Sequence, residues 1–342
     1  GTTELDLGTS TVGGNLAVTA GHDITDSGVL TVGGTSSFTT DVNDKTITFD
    51  ENHVFTGPIS ITTTDNETGV DNDSDVTISG ISGTVVNLGT LTIKGDLSVT
   101  TSNTIGITGS GVLTVHGTSS FTTSTDGADI DLDATSNVFT GAVSLSTAGS
   151  GGYVELSNGS NSLTTGTSTV DGYLTLTTSG QIIFGDTTVG GNLSAITSGS
   201  TITDTGTLVV TGTTELETPG GNYPVDLQST NNDFGDTVKA KGHHVKLKDI
   251  NGIKLGRINA TNGQIVITAG GAVTQTEDYL SSSDQTKITA TGSDITLNQT
   301  NNSIGGHLKL IGKDVSVTAS GSVIMGVSTI SNTFDLTTSG AV

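Results

Sequence analysis

The sequence predicts an all-β protein: a right-handed parallel β-helix (β-solenoid) built from degenerate repeats of several coils each. Three observations indicate this fold class. The sequence repeats itself along its whole length, short runs of apolar residues alternate with Thr, Ser or Asp, and Gly, Asn, Asp or Ser interrupts those runs every few residues. Short strands joined by tight corners are typical of stacked parallel coils. Because no stretch has sustained helical spacing of its apolar residues, we expect almost no helix.

The repeats vary in both sequence and length. Residues 28–32 (GVLTV) recur at 111–115, and residues 36–40 (SSFTT) recur at 119–123, so both segments return at the same offset. A landmark made of an apolar residue followed by Gly begins at residues 7, 88, 184, 255 and 325. The unequal distances between successive landmarks predict a repeat of about 70–96 residues that tolerates insertions.

The strands within a repeat are short and half-buried. Residues 30–32 (LTV) and 47–49 (ITF) alternate apolar and polar side chains with the period of two that is typical of a strand. At roughly 20–25 residues per coil and a rise of about 4.8 Å, the chain would form about 15 coils and a rod about 70 Å long. We expect right-handed crossovers, and glycine corners with positive φ.

A second landmark predicts the core: Asn or His, any residue, then a large apolar residue. Equivalent places in successive repeats are expected to stack on one another, because each coil lies directly above the last. The predicted inward-facing residues are Phe38, Phe55, Phe121, Phe139 and Phe234. The Asn positions expected to hydrogen-bond along the stacking axis are Asn137, Asn232 and Asn302. His53 takes the Asn position before Phe55, which favours a structural role for this histidine.

The whole chain, residues 1–342, is expected to form a single continuous solenoid. Residues 1–5 (GTTEL) match residues 212–216, which lie inside a repeat, and the last residues also match the interior of a repeat. Neither end carries the polar capping segment that a solenoid uses to hide its terminal edges. We therefore expect the chain to be an excerpt of a longer protein, or its ends to be covered by neighbouring subunits in a fibre.

Composition excludes several classes of partner. The net charge is −23, with 34 acidic residues against 11 Lys and Arg, so binding to nucleic acid or to an anionic membrane is not expected. No apolar run reaches the roughly 18–20 residues of a membrane-spanning helix, so membrane insertion is not expected. The absence of Cys excludes disulfides and thiolate metal sites. High acidity without Cys is typical of an extracellular or cell-surface protein.

Four segments carry a resemblance to a known family: residues 12–18 (VGGNLAV), 21–28 (GHDITDSG), 232–235 (NDFG) and 249–256 (DINGIKLG). They resemble the repeats of filamentous-haemagglutinin-like giant exoproteins of Gram-negative bacteria. The resemblance implies a right-handed β-helical shaft, exported through an outer-membrane transporter and displayed or released as an adhesin or surface filament. The amino-terminal secretion domain of such proteins is not in this sequence.

One acidic stretch is a candidate calcium site. Asp71, Asp73 and Asp75 have the spacing that opens an EF-hand loop, but Val76 replaces the Gly at its sixth position and Ser82 the Glu at its twelfth. We therefore predict a solvated acidic loop, with a weak Ca²⁺ site as the alternative and no other cofactor.

Six of the eleven Lys and Arg residues lie close together in the sequence and form a candidate interaction patch. Apolar residues alternate with them, so one face of these strands is buried and the other carries the charge. The patch residues are Lys239, Lys241, Lys246, Lys248, Lys254 and Arg257. They are expected either to pair with carboxylates on adjacent coils or to bind an acidic glycan, a cell-surface ligand or the acidic flank of another subunit.

The sequence favours a structural and adhesive protein over an enzyme. Asp129, Asp131 and Asp133 alternate along a strand and share one face, but no Arg lies nearby to complete a catalytic site. We predict the stiff shaft of a haemagglutinin-like surface adhesin or filament, which associates with itself end to end or laterally. The alternatives are a subunit of a homopolymeric fibre joined through uncapped coils and, less favoured, a carbohydrate-active β-helix enzyme.

Overall fold

The computed structural model describes residues 4–65, 74–83, 85–277 and 279–342. Its contacts divide the chain into two compact units, Gly1–Thr178 and Ser179–Val342. Throughout the described ranges the regular structure is β-strand, without a helix. The predicted all-β class is therefore confirmed.

The described part of the first unit holds 22 short strands. They are β1 (Glu4–Asp6), β2 (Ser10–Val12), β3 (Leu16–Ala20), β4 (Asp23–Thr25), β5 (Leu30–Val32), β6 (Ser36–Thr40), β7 (Ile47–Phe49), β8 (Val54–Phe55), β9 (Ile59–Thr62), β10 (Val76–Ile81), β11 (Val86–Ile93), β12 (Leu97–Thr101), β13 (Gly106–Gly109), β14 (Leu113–Val115), β15 (Ser119–Asp126), β16 (Asp129–Leu132), β17 (Val138–Phe139), β18 (Val143–Ala148), β19 (Val154–Ser157), β20 (Leu163–Thr164), β21 (Ser168–Val170) and β22 (Leu174–Thr178).

The described part of the second unit also holds 22 strands. They are β23 (Ile182–Phe184), β24 (Thr187–Val189), β25 (Leu193–Thr197), β26 (Ile202–Asp204), β27 (Leu208–Val210), β28 (Thr214–Glu217), β29 (Val225–Leu227), β30 (Asp233–Phe234), β31 (Val238–Gly242), β32 (Val245–Asp249), β33 (Ile253–Ala260), β34 (Ile265–Ala269), β35 (Val273–Gln275), β36 (Leu280–Ser282), β37 (Thr286–Ala290), β38 (Ile295–Leu297), β39 (Ser303–Ile304), β40 (His307–Gly312), β41 (Val315–Ala319), β42 (Ile324–Met325), β43 (Thr329–Ile330) and β44 (Phe334–Thr338).

Strands pair in parallel with the equivalent strands of the coils before and after them. In the first unit Leu16 is in register with Ser36, and Ser36 with Ile59. In the second unit Leu193 is in register with Thr214, and Thr214 with Val238. Each of these steps agrees with the predicted coil of roughly 20–25 residues. Both units are therefore parallel β-solenoids, with about 15 turns in total.

The core of each coil is a row of inward-facing apolar side chains. Within the strands buried and partly exposed residues alternate, as period-two sequences require. The predicted core residues Phe38, Phe55, Phe121, Phe139 and Phe234 are all at most 2% exposed. Phe49, which the sequence analysis did not single out, packs its ring 4.6 Å from that of Phe38, measured between centroids. Aromatic rings in tilted and edge-to-face contact thus fill parts of the first unit's interior.

Buried Asn and His side chains join one coil to the next. Each accepts a hydrogen bond from the backbone N–H of a Leu on the preceding coil. The N···acceptor distances are 3.0 Å for Leu30 to His53 Nδ1, 3.0 Å for Leu113 to Asn137 Oδ1, 2.8 Å for Leu208 to Asn232 Oδ1 and 2.7 Å for Leu280 to Asn302 Oδ1. All four acceptors are at most 1% exposed. They satisfy backbone donors that the strand ladders leave unpaired.

In one column of corners, glycine serves close approach rather than positive φ, although glycines such as Gly106 and Gly149 do have positive φ. Gly117 N–H donates to the carbonyl of Gly95 at 3.0 Å, and Gly141 N–H donates to that of Gly117 at 3.2 Å. A Cβ built at Gly117 would lie 2.5 Å from the Gly95 oxygen, yet none of these three residues has positive φ. The expectation of positive φ at the corners is therefore wrong for this column, where only a missing side chain lets the coils stack.

Candidate functional site

Among the described residues of the first unit, an acidic group lies on and beside β16 and β19. We name it the acidic face: Asp129, Asp131, Asp133 and Glu155. Asp131 is in register with Glu155 on the next coil, and the Ile130 side chain between Asp129 and Asp131 is buried in the core. Alternation along β16 therefore directs the carboxylates outward, and stacking adds Glu155 from the next coil.

The carboxylates of the acidic face disfavour one another's charge. Burial raises the pKa of Asp131, and the nearby charges of Asp133, Glu155 and Asp129 raise it further, against a backbone hydrogen bond at Asp133 that lowers it. Asp131 Oδ1 is buried without a hydrogen-bond partner among the described residues. The Asp131 carboxylate is therefore incompletely solvated and repelled by its neighbours.

Two tyrosines lie beside the acidic face on consecutive coils. The rings of Tyr153 and Tyr173 stack with centroids 4.7 Å apart and planes 3° from parallel. Tyr153 N–H donates to Asp129 Oδ1 at 3.0 Å, and Tyr173 Oη donates to Glu155 Oε1 at 3.0 Å. Burial and the bond to Glu155 raise the pKa of Tyr173 to about 12, so this hydroxyl stays a donor at neutral pH. Sequence reasoning missed the pair, although each tyrosine directly precedes an equivalent strand.

The acidic face offers oxygen ligands for a hard cation. One carboxylate oxygen each from Asp131, Asp133 and Glu155 lies within 4.8 Å of the others. Ca²⁺ takes about 6–8 oxygens, so three protein oxygens would leave at least half of the coordination sphere to water. The sequence analysis placed Asp129, Asp131 and Asp133 on one face, and the structure places them so.

The predicted calcium stretch is described in part. Asp71 and Asp73 lie outside the described residues. Asp75 is described, and its Oδ1 accepts a hydrogen bond from Asp96 N–H on the next coil at 2.7 Å. Asp96 Oδ1 in turn accepts one from Thr118 N–H at 2.6 Å. The Asp75 carboxylate thus accepts a hydrogen bond that joins its coil to the next one.

The structure divides the predicted basic patch between different strands. On β31 and β33, three of its cations pair with carboxylates: Lys239 with Glu277 at 3.1 Å, Lys254 with Asp236 at 3.6 Å, and Arg257 with Glu215 at 3.2 Å and with Glu217. Lys241 also lies on β31, in register with Glu217. Lys246 and Lys248 lie on β32, in a different sheet.

Stacking of the coils brings two further lysines, Lys287 and Lys309, into line with Lys246 on β32. The sequence analysis did not include these two in the basic patch. Lys246 is in register with Val266, Val266 with Lys287, and Lys287 with Lys309. We name the outward-facing lysines of β32, β37 and β40 the basic face: Lys246, Lys248, Lys287 and Lys309. Lys287 and Lys309 are separated in the sequence by the length of one coil, and this separation is the signal that could have identified them.

Within the described ranges, no helix is long and apolar enough to span a membrane.

Comparison with known families identifies the repeats. A family of repeats of unknown function, DUF5649, matches residues 1–62, 73–146, 175–241 and 242–311. Each match spans about three coils of the solenoid. No curated protein and no solved structure matches the chain. Because the four matches cover most of its length, the chain belongs to the DUF5649 family of repeats.

Proposed function

We propose that the chain forms part of the shaft of an extracellular surface adhesin or filament. The observation that carries the proposal is the axial bonding of coil to coil. Backbone N–H groups bond to buried Asn137, Asn232 and Asn302 on the following coil, in addition to the parallel strand ladders. Such bonding resists separation of the coils without any disulfide, which suits a stiff extracellular support.

The surface of the coils supports the same proposal. Outward positions of the strands carry mainly Thr, Ser and charged residues, as in Leu30–Val32 and Val143–Ala148. The resemblance to filamentous-haemagglutinin-like exoproteins favours an adhesin over other extracellular rods. We further propose export through an outer-membrane transporter and display at the cell surface, where loops between coils meet a cell-surface or glycan ligand.

A homopolymeric fibre joined end to end is the second candidate. Phe334 on β44 is in register with buried Val315, so it occupies a core column, yet it is 43% exposed. Leu5 on β1 is in register with Ile24, which is fully buried, and is 37% exposed. A further coil of a longer chain would bury these side chains, and so would the end of another copy.

The two candidates differ in the mass of the native chain and in where it is found. Intact cells of the native source are labelled with an antibody to the 342-residue chain, and the denatured mass of the labelled protein is measured. The shaft proposal predicts surface labelling of a chain several times heavier than 34.2 kDa. A surface chain near 34.2 kDa in long filaments would establish the fibre instead. Labelling only after the cells are opened would contradict both.

A further inference from the structure

Most lysines of the basic face of the second unit lack an ion-pair partner among the described residues. Lys246 pairs with Asp226 at 2.8 Å, but Lys248, Lys287 and Lys309 make no ion pair with any residue that the structure describes. Lys287 and Lys309 are directly in register, so two like charges project from strands about 4.8 Å apart. Like charges directly opposite each other on a sheet are destabilising, which an anionic partner would relieve.

The acidic face of the first unit likewise carries charges without ion-pair partners, here of negative sign. None of its four carboxylates makes an ion pair with a described residue. Asp131 and Glu155 are in register on adjacent coils, again about 4.8 Å apart.

We propose that the basic face of one copy docks on the acidic face of a second copy. The distance between neighbouring charges is the same on both faces, because on each face the two charged side chains lie on adjacent coils of the same fold. Lys287 and Lys309 of one copy can therefore meet Asp131 and Glu155 of the other in a one-to-one ladder. A flexible polyanion has no such fixed spacing, which favours a second solenoid as the occupant.

The contact joins two different surfaces of the chain, so each copy can take part in two such contacts, one through each face. Association therefore yields either a closed dimer or a larger assembly. The net charge of −23 on each copy opposes approach at low ionic strength, whereas high salt screens the lysine–carboxylate contacts. Association is therefore strongest at intermediate salt. The contact is independent of whether the chain is part of a longer shaft or a fibre subunit.

Charge reversal on each face tests the contact, with sedimentation velocity of the full chain as the measurement. The double variants are Lys287→Glu/Lys309→Glu and Asp131→Lys/Glu155→Lys, and Lys45→Glu/Lys94→Glu is the control outside both faces. Each reversal is expected to weaken self-association at least about tenfold, whereas the control associates as the wild type does. Mixing the two reversal variants is expected to restore association. Circular dichroism melting verifies that each variant is folded.

Three results would overturn the proposal. The first is a wild-type chain that stays monomeric at every salt and protein concentration tested. The second is a pair of folded reversal variants that associate as the wild type does, or whose mixture fails to associate. The third is a monomeric wild type that binds dextran sulfate through Lys287 and Lys309, which would assign the basic face to an anionic polymer.

Discussion

At the scale of single residues, the fold depends on side chains that replace missing backbone partners. Asn137 accepts from Leu113 N–H and donates through Nδ2 to the Leu132 carbonyl at 3.0 Å. In another repeat Asn232 accepts from Leu208 N–H and donates to Asp204 Oδ2 at 2.6 Å. A polar side chain is tolerated in the interior because its donor and acceptor groups both have partners.

Removing one axial acceptor tests this role. Asn137→Ala leaves the Leu113 N–H buried and unpaired, and it is expected to reduce the free energy of unfolding by about 1–3 kcal/mol. Urea denaturation measures the change. Asn222→Ala, at an exposed position, is the matched control and should change stability by less than about 0.5 kcal/mol. Equal effects of the two substitutions would show that the buried bond contributes nothing.

His53 makes the same bond with a group that titrates. Its Nδ1 accepts from Leu30 N–H, and its Nε2 lies 3.1 Å from Asp26 Oδ2, with both side chains fully buried. Burial lowers the pKa of His53 from its ordinary value of 6.5, against the charges of Asp26, Glu51 and Asp50, which raise it. Protonation of Nδ1 would also remove the acceptor for Leu30.

The lowered pKa of His53 makes stability depend on pH in a defined direction. The unfolded state binds the proton more readily, so stability present above pH 6.5 is lost as the pH falls from 6.5 towards the folded-state pKa. His53→Asn restores the residue used in other repeats and removes this titration. The variant should therefore lose less stability than the wild type on acidification from neutral pH, as judged by urea midpoints. Parallel pH profiles for the two proteins would contradict this.

At the scale of strands and corners, stacking is limited by how closely successive turns approach. Gly95, Gly117 and Gly141 form a column in which the N–H of each later glycine donates to the glycine carbonyl of the coil before. This geometry leaves no space for a side chain at Gly117. Corner glycines therefore set the spacing of coils as directly as the strand ladders do.

Alanine at one corner glycine should separate these coils. Gly117→Ala is expected to destabilise the chain by about 1–3 kcal/mol, because the added methyl group overlaps the Gly95 backbone. The control is Gly13→Ala, whose Cβ would meet nothing within 4 Å and whose φ is not positive. Thermal melting of both variants provides the comparison. A Gly13→Ala variant that melts at or below Gly117→Ala would refute the close-packing argument.

The sequence alone predicted the coils and their buried residues. It did not predict which charged side chains of successive coils lie side by side. Period-two alternation and repeat landmarks place Phe121 and Phe139 in the interior, because those signals are local or recur at repeat spacing. The acidic face needs Glu155 beside Asp131, and the basic face needs Lys309 beside Lys287. The one-coil separation of Lys287 and Lys309 is a signal for the second pairing, but only the register between coils of unequal length establishes either one, and local pattern does not fix that register.

At the scale of the whole molecule, we propose that function depends on the regular stacking of coils rather than on a binding pocket. Each coil contacts the coils before and after it, so the described surface presents charge in steps of one coil. The same regularity would support a shaft and align its charges with those of a second copy. Both consequences require parallel coils at a constant rise throughout each unit.

Cryo-electron microscopy of the purified chain tests that requirement most directly. The account predicts density for parallel strands that repeats every ~4.8 Å along the stacking direction of each unit, with Asn137 and Asn232 inside the coils. A map in which neighbouring strands pair antiparallel, as in a β-sandwich, would contradict it.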